Sequence, residues 1–192
     1  MDKQRGEIIA VSAPSGTGKT TILKSILQDF PELVFSVSAT TRKKRKFEKE
    51  GVDYFFLSEN EFEKKIRNSE FVEWEKFYDY YYGTYKSLIE DNINKGNSVI
   101  AEIDVKGALS LKKIYPQAVL IFIYPPSLEE LESRLKKRKT EDEEEFKKRI
   151  ERAKMELSQK DKFDCCIENN DLGKAILETE SLIKKIIHKE NS

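Results

Sequence analysis

The chain has 192 residues, 38% hydrophobic and 36% charged, with 35 Lys and Arg against 35 Asp and Glu. That length suits one domain, or one core carrying inserted subdomains, and is enough to bury a sizeable core. A balanced charge gives no support to a general nucleic-acid binder, and no apolar run approaches the roughly 18 to 20 residues of a membrane span.

Glu7 to Ser12 reads as a short buried strand closed by a Gly-rich turn. From Lys19, the apolar residues Ile22, Leu23, Ile26, Leu27 and Phe30 recur at helical spacing until Pro31 stops them. Phe35 to Ser38 reads as a strand, followed by a basic loop and a second strand at Tyr54 to Leu57. Ser58 stands three residues before Glu61, the spacing of a capping box at a helix start. The aromatic run EFVEWEKFYDYYYGTY suits one or two strands with a turn at Gly83. Ser87 to Asn94 then reads as a helix that Gly96 ends.

SVIAEID is a buried strand ending in acids, VKGALSLKKIY a short helix, and VLIFIYPP a strand stopped by prolines. A charged helical stretch runs from Ser127 to about Ser158, with a break near Lys139 and Thr140. FDCCIENN is a last strand, and Leu172 to His188 a last helix with Leu172, Ile176, Leu182, Ile183 and Ile186 on its apolar face. The adjacent Cys165 and Cys166 read as reduced thiols on a partly buried strand. The N-terminal apolar stretch is too short for a signal peptide, so the expected location is cytoplasmic. Alternating strands and helices at both ends predict an α/β core with a parallel sheet, while Ser36 to about Ile89 is a strand-rich insertion.

Ala13-Pro14-Ser15-Gly16-Thr17-Gly18-Lys19-Thr20 fits G-x-x-x-x-G-K-[ST], with Ala13 in place of the first Gly. Gly16 and Gly18 let successive backbone N–H groups turn toward phosphate oxygens, and the following helix offers its positive end to the same anion. Lys19 is expected to bridge the β- and γ-phosphates of a nucleoside triphosphate, and the Thr20 hydroxyl to hold Mg²⁺. Glu102 and Asp104, two residues apart, are expected on one face of their strand, within reach of Mg²⁺ directly or through water.

The arginines bear on the acceptor. Bringing two phosphorylated molecules together requires cations to offset their repulsion, and the forked guanidinium suits that task. Arg42, Arg45, Arg134, Arg138, Arg149 and Arg152 lie in two basic stretches. They favour a nucleoside-monophosphate kinase over a GTPase or motor ATPase, which has no phosphorylated acceptor to clamp.

At this point the sequence resembles the guanylate kinase family. SAPSGTGKTT, FSVSATTRKKR, GVDYFFLS, EFVEWEKFYDYYYGT, EIDVKGA, FIYPPSLEELESRLKKRKTEDEEEFKKRIERAKMEL and ENNDL stand in that family's order and spacing, from about Gly6 to Lys185. The resemblance implies ATP + GMP ⇌ ADP + GDP with Mg²⁺. It also implies a P-loop NTPase-type parallel sheet flanked by helices, with a GMP-binding insertion and a helical lid. Within a domain over 5–187, the expected core is about 5–35, 93–126 and 160–187, the insertion about 36–92, and the lid about 127–159.

By the same resemblance, Ser38, Arg42, Arg45, Tyr54, Glu73, Tyr82, Thr84 and Asp104 are GMP-binding positions. Arg42, Arg45, Tyr54 and Tyr82 are implied to hold the GMP phosphate. Arg138 and Arg149 match lid arginines that meet the transferring phosphate, and Asn169 matches a position near the adenine. Guanine presents N1–H and N2–H₂ as paired donors and O6 as an acceptor. Glu73 can accept both donors, and the hydroxyls of Ser38 and Thr84 can donate to O6. Adenine would leave the carboxylate unpaired, which is costly for a buried charge.

Several positions depart from the family pattern. Glu102 stands for a usual Asp, Lys106 for Gln, Lys139 for Gly and Asn170 for Asp, while Asp79-Tyr80 replaces Gly-Asn. The rival readings are a guanylate-kinase-like protein-binding module and a P-loop kinase acting on another phosphorylated acceptor such as a ribose phosphate. The intact Gly16, Gly18, Lys19 and Thr20 oppose the first; the set Ser38, Glu73 and Thr84 opposes the second. The expected partners are ATP, GMP and also dGMP, in a monomer or homodimer.

Overall fold

A computed structural model describes residues 5–77, 79–137 and 143–188. It divides into two compact units. The first comprises the described residues up to Ala10 together with Glu32–Ala118; the second comprises Val11–Pro31 and the described residues from Val119 onward. The strand β1 (Ile8–Ser12) is buried along its whole length and passes from the first unit into the second.

In the first unit, β2 (Val34–Ser36) pairs in parallel with β7 (Val99–Glu102). Between them in sequence, a second sheet forms from β3 (Ala39–Thr40), β4 (Phe55–Phe56), β5 (Phe71–Phe77) and β6 (Tyr80–Tyr85), in the order β4-β3-β6-β5. Helix α2 (Glu59–Arg67) opens with the expected capping box, Ser58 accepting from the Glu61 N–H while the Glu61 side chain returns to the Ser58 N–H. Phe62 of α2 stacks on Phe71 and Tyr81, with ring centres 4.5 and 5.2 Å apart, so this small sheet has an aromatic core of its own. Helices α3 (Lys86–Asn94) and α4 (Val105–Ile114) complete the unit.

The turn expected at Gly83 lies elsewhere. Phe77 pairs with Tyr80, and Gly83 sits inside β6 opposite Trp74 and Ala39. A Cβ on Gly83 would come within 3.0 Å of the Phe62 ring and 3.2 Å of the Phe71 ring. The glycine therefore serves close packing of the aromatic core rather than chain reversal.

In the second unit, β8 (Val119–Tyr124) pairs in parallel with β9 (Cys165–Glu168), which carries both cysteines half-buried as expected. Helix α1 (Lys19–Asp29) buries Ile22, Leu23 and Ile26, and α7 (Leu172–His188) buries Ala175, Thr179 and Ile183. Of the expected α7 stripe, Ile183 is buried, Ile176, Leu182 and Ile186 are half-buried, and only Leu172 is exposed. Thr179 can take a core position because its hydroxyl donates to the Ala175 carbonyl at 2.6 Å. Helices α5 (Leu128–Lys137) and α6 (Glu143–Leu157) share an apolar seam of Leu131, Leu135, Ile150 and Ala153. The break expected near Lys139 lies outside the described residues.

β2–β7 in the first unit and β8–β9 in the second are both parallel pairs, the α/β arrangement that the sequence predicts. No described helix is long and apolar enough to cross a membrane.

Candidate functional site

The loop between β1 and α1 holds Gly16 at φ +93° and Gly18 at φ +92°, a left-handed conformation that favours glycine. Space excludes a side chain there as well. A Cβ on Gly16 would meet the Leu135 side chain at 2.8 Å, and one on Gly18 would meet Asn169 Nδ2 at 2.7 Å. Between them, buried Thr17 folds back on Pro14, its N–H donating to the Pro14 carbonyl at 3.3 Å and its hydroxyl donating to the same oxygen. Ala13, in place of the usual glycine, is itself buried. Gly18 caps α1, so Lys19 and Thr20 are its first residues, Lys19 half-buried and Thr20 exposed.

Two distant residues reach this loop. Asn169, buried at the end of β9, donates from Nδ2 to the Thr17 carbonyl at 2.6 Å. Arg149 of α6 donates to the hydroxyl of exposed Ser15. Asn169 thus braces the loop, a contact that its expected place near the adenine did not indicate. Arg138 and Lys139 lie outside the described residues. Chemically, the loop offers a cluster of backbone N–H groups and a helix N-terminus to an anion, with Lys19 and Arg149 as flanking cations.

In the first unit, Glu73 of β5 is only 8% exposed and pairs across the hairpin with Thr84 of β6. The Thr84 hydroxyl donates to Glu73 Oε1 at 2.5 Å. Its single proton is therefore given to the carboxylate, not held out toward a base oxygen as the sequence suggested. Burial, opposed by the Thr84 hydrogen bond and reinforced by the charges of Asp104 and Glu75, pushes the Glu73 carboxyl up to about 7.

Asp104 does not share a strand face with Glu102. β7 ends at Glu102, and Asp104 is the N-cap of α4, its Oδ1 accepting from the N–H groups of Lys106 at 2.8 Å and Gly107 at 3.1 Å. The capping preference of Asp outweighs continuation of the strand. Glu102 remains half-buried at the strand end, and its charge adds to burial in raising the Tyr54 hydroxyl to about 12. Tyr54 is accordingly a hydrogen-bond donor at any neutral pH.

Arg42 is gripped by a residue that sequence reading passed over. Its Nη2 donates to Glu48 Oε1 at 2.6 Å and its Nη1 to Glu48 Oε2 at 3.1 Å, while the Arg45 N–H donates to the same carboxylate at 2.7 Å. The guanidinium lies 5.5 Å from the ring centre of Tyr54, which meets Tyr82 edge-on at 6.0 Å. Burial alone would lower the Arg42 pKa, but Glu48 outweighs it and the net shift is upward; Glu48 in turn is lowered, chiefly by its bond to Arg42. The fold thus brings Arg42, Tyr54 and Tyr82 together, with Arg45 exposed beside them. Ser38 lies half-buried between β2 and β3, where its carbonyl accepts from the Phe55 N–H at 2.9 Å.

Comparison with known proteins gives a consistent result. A family model described as guanylate kinase matches residues 5–186. The chain is 45% identical over 181 residues to the guanylate kinase of Caldanaerobacter subterraneus subsp. tengcongensis, covering 94% of this chain and 88% of that protein. It is 49% identical over 173 residues to that of Chlorobaculum tepidum, covering 90% of this chain and 89% of that protein. Its fold matches the crystal structure of guanylate kinase from Anaplasma phagocytophilum with a TM-score of 0.78 at 33% identity, over 99% of this chain and 90% of that one.

Proposed function

The chain belongs to the guanylate kinase family, and from that premise we propose which residues perform its transfer of a phosphoryl group from ATP to GMP. The observation that carries the assignment is Glu73, a buried carboxylate with a hydroxyl on one oxygen. A carboxylate so placed is costly unless a ligand supplies matched donors, and guanine supplies two on adjacent atoms.

Glu73 accepts guanine N1–H and N2–H₂, with Thr84 holding the carboxylate and Ser38 and Asp104 completing the base contacts. Arg42, Arg45, Tyr54 and Tyr82 hold the GMP phosphate. On the donor side, residues 13–20 wrap the ATP phosphates, Lys19 bridges the β- and γ-groups, and Arg138 and Arg149 offset the charge of the group in flight. Asn169 keeps the loop in shape beneath the nucleotide. Transfer is in line, with no covalent enzyme intermediate: the protein supplies position and charge.

Mg²⁺ fits this donor set as a companion of ATP. The Thr20 hydroxyl is exposed at the first turn of α1 and would be the protein's ligand to the ion. There Mg²⁺ would supply positive charge to offset that of the phosphates. We assign the core, the GMP-binding insertion (36–92) and the lid (127–159) as the sequence suggested. The separate aromatic sheet and the α5/α6 seam support the last two. dGMP is a second acceptor, since every group assigned to the acceptor reads base or phosphate, and the reaction belongs to the cytoplasm with its nucleotide pools.

A coupled ADP-release assay with ATP and Mg²⁺ tests these assignments, offering GMP, dGMP, AMP, CMP and UMP separately. Turnover confined to the guanine nucleotides is the expected result. Comparable turnover with AMP would remove Glu73 from base reading.

A further inference from the structure

Gly107 is a buried residue in the first turn of α4, and its backbone does not require glycine, since it is absent from the residues with positive φ. Helix propensity argues against glycine at such a place. Space argues for it. A Cβ at Gly107 would lie 2.5 Å from Glu73 Oε2, 2.9 Å from Glu73 Cδ and 2.6 Å from Ile103 Cγ2. On its other oxygen, Glu73 accepts from the Thr84 hydroxyl. The carboxylate thus stands, 8% exposed, between a hydroxyl of β6 and the bare backbone of α4. Glu73 and Gly107 line one open pocket of about 510 Å³ with Trp74, Lys106 and Ser110. The Gly107 N–H also helps fix Asp104.

We propose that Gly107 is a positioning residue for acceptor selectivity: the missing side chain lets the Glu73 carboxylate stand where it meets both donors of guanine. The proposal rests on the assignment of Glu73 as the guanine reader. Any side chain at 107 would displace the carboxylate while leaving the phosphate-binding groups of both nucleotides in place.

The test is steady-state kinetics of Gly107→Ala, Glu73→Gln and the double variant with GMP and inosine monophosphate, which keeps N1–H but lacks the 2-amino group. Gly107→Ala should raise KM for GMP roughly tenfold or more and narrow the GMP to inosine monophosphate ratio, with KM for ATP unchanged. Added to Glu73→Gln, it should do little further, because the two act through one carboxylate. Normal KM and ratio in Gly107→Ala, alongside a narrowed ratio in Glu73→Gln, overturns the proposal alone. An unchanged ratio in Glu73→Gln removes the guanine reading and the proposal with it. Should Gly107→Ala melt too low for kinetics, the melting temperature of Gly107→Ala with Glu73→Ala decides. Recovery supports the carboxylate contact; no recovery assigns the crowding to Ile103 and overturns it.

Discussion

The loop over residues 13–20 and the carboxylate site around Glu73 are built by opposite means. The loop is made of consecutive residues and its working surface is backbone, shaped by two glycines with φ near +90°. Its N–H dipoles do not titrate. The carboxylate site is assembled from three elements, Glu73 of β5, Thr84 of β6 and the start of α4 with Asp104 and Gly107, and at its centre is a buried carboxyl with a pKa of about 7. Backbone recognition of phosphate is indifferent to base and to pH, whereas a buried carboxylate discriminates between bases and pays for it in stability. Substitutions in the two places should therefore fail in different ways.

The largest effect is expected at the loop. Lys19→Met keeps the α1 start and removes the cation, so turnover should fall roughly 10²- to 10³-fold or more with melting unchanged. Near-normal turnover in a folded variant would strip Lys19 of its assigned role. The next effect belongs to the pocket, and it is on stability. A carboxyl raised from 4.5 to about 7 holds its proton more tightly in the folded state. Native stability is therefore lost as pH climbs from about 4.5 through 7, by about 3 kcal/mol in total. Glu73→Gln removes that loss, so in denaturant titrations it should stabilise the ligand-free protein at pH 8 and hardly at all at pH 4.5. A constant difference between the two pH values would show that Glu73 is not the titrating group. The same variant should lower the preference for GMP over AMP by roughly ten- to a hundredfold, with ATP affinity kept.

The contrast also explains what could be read from sequence. A strand, a glycine turn and a helix are local, so the loop was legible from residues 8–30, as was the capping box at Ser58. The pairing of β5 with β6 was harder, because Gly83 looks like a turn residue until Phe62 and Phe71 are seen against it. Asp104 was legible as an acid near a strand end but not as a helix cap, since strand and cap differ only by where the chain bends. Family resemblance supplied Glu73, which otherwise reads as an ordinary strand carboxylate. Neither spacing nor composition marks Gly107 or the brace from Asn169 to Thr17, 152 residues away in sequence. Both depend on close approach between distant segments.

Glu48 is the smallest test and the one that sharpens the comparison, because it is a carboxylate in the same unit as Glu73 with the opposite electrostatics. Its bond to Arg42 holds it below the ordinary carboxylate range, where burial holds Glu73 above it. One alternative role for it is competition with the GMP phosphate for Arg42. The geometry favours positioning instead: Glu48 holds the Arg42 guanidinium from both terminal nitrogens and also fixes the Arg45 N–H, while Nη1 donates to the Lys43 carbonyl at 2.8 Å, so one carboxylate sets the arrangement of both arginines. Glu48→Gln should therefore raise KM for GMP about three- to tenfold rather than lower it, with little change in kcat or in the preference for GMP over AMP. The increase should be the same from pH 6 to pH 8, since Glu48 stays ionised throughout, whereas the effect of Glu73→Gln should change across that range. A fall in KM would identify Glu48 as a competitor for the phosphate site, and a pH-dependent increase would mean that its charge is not fixed by Arg42.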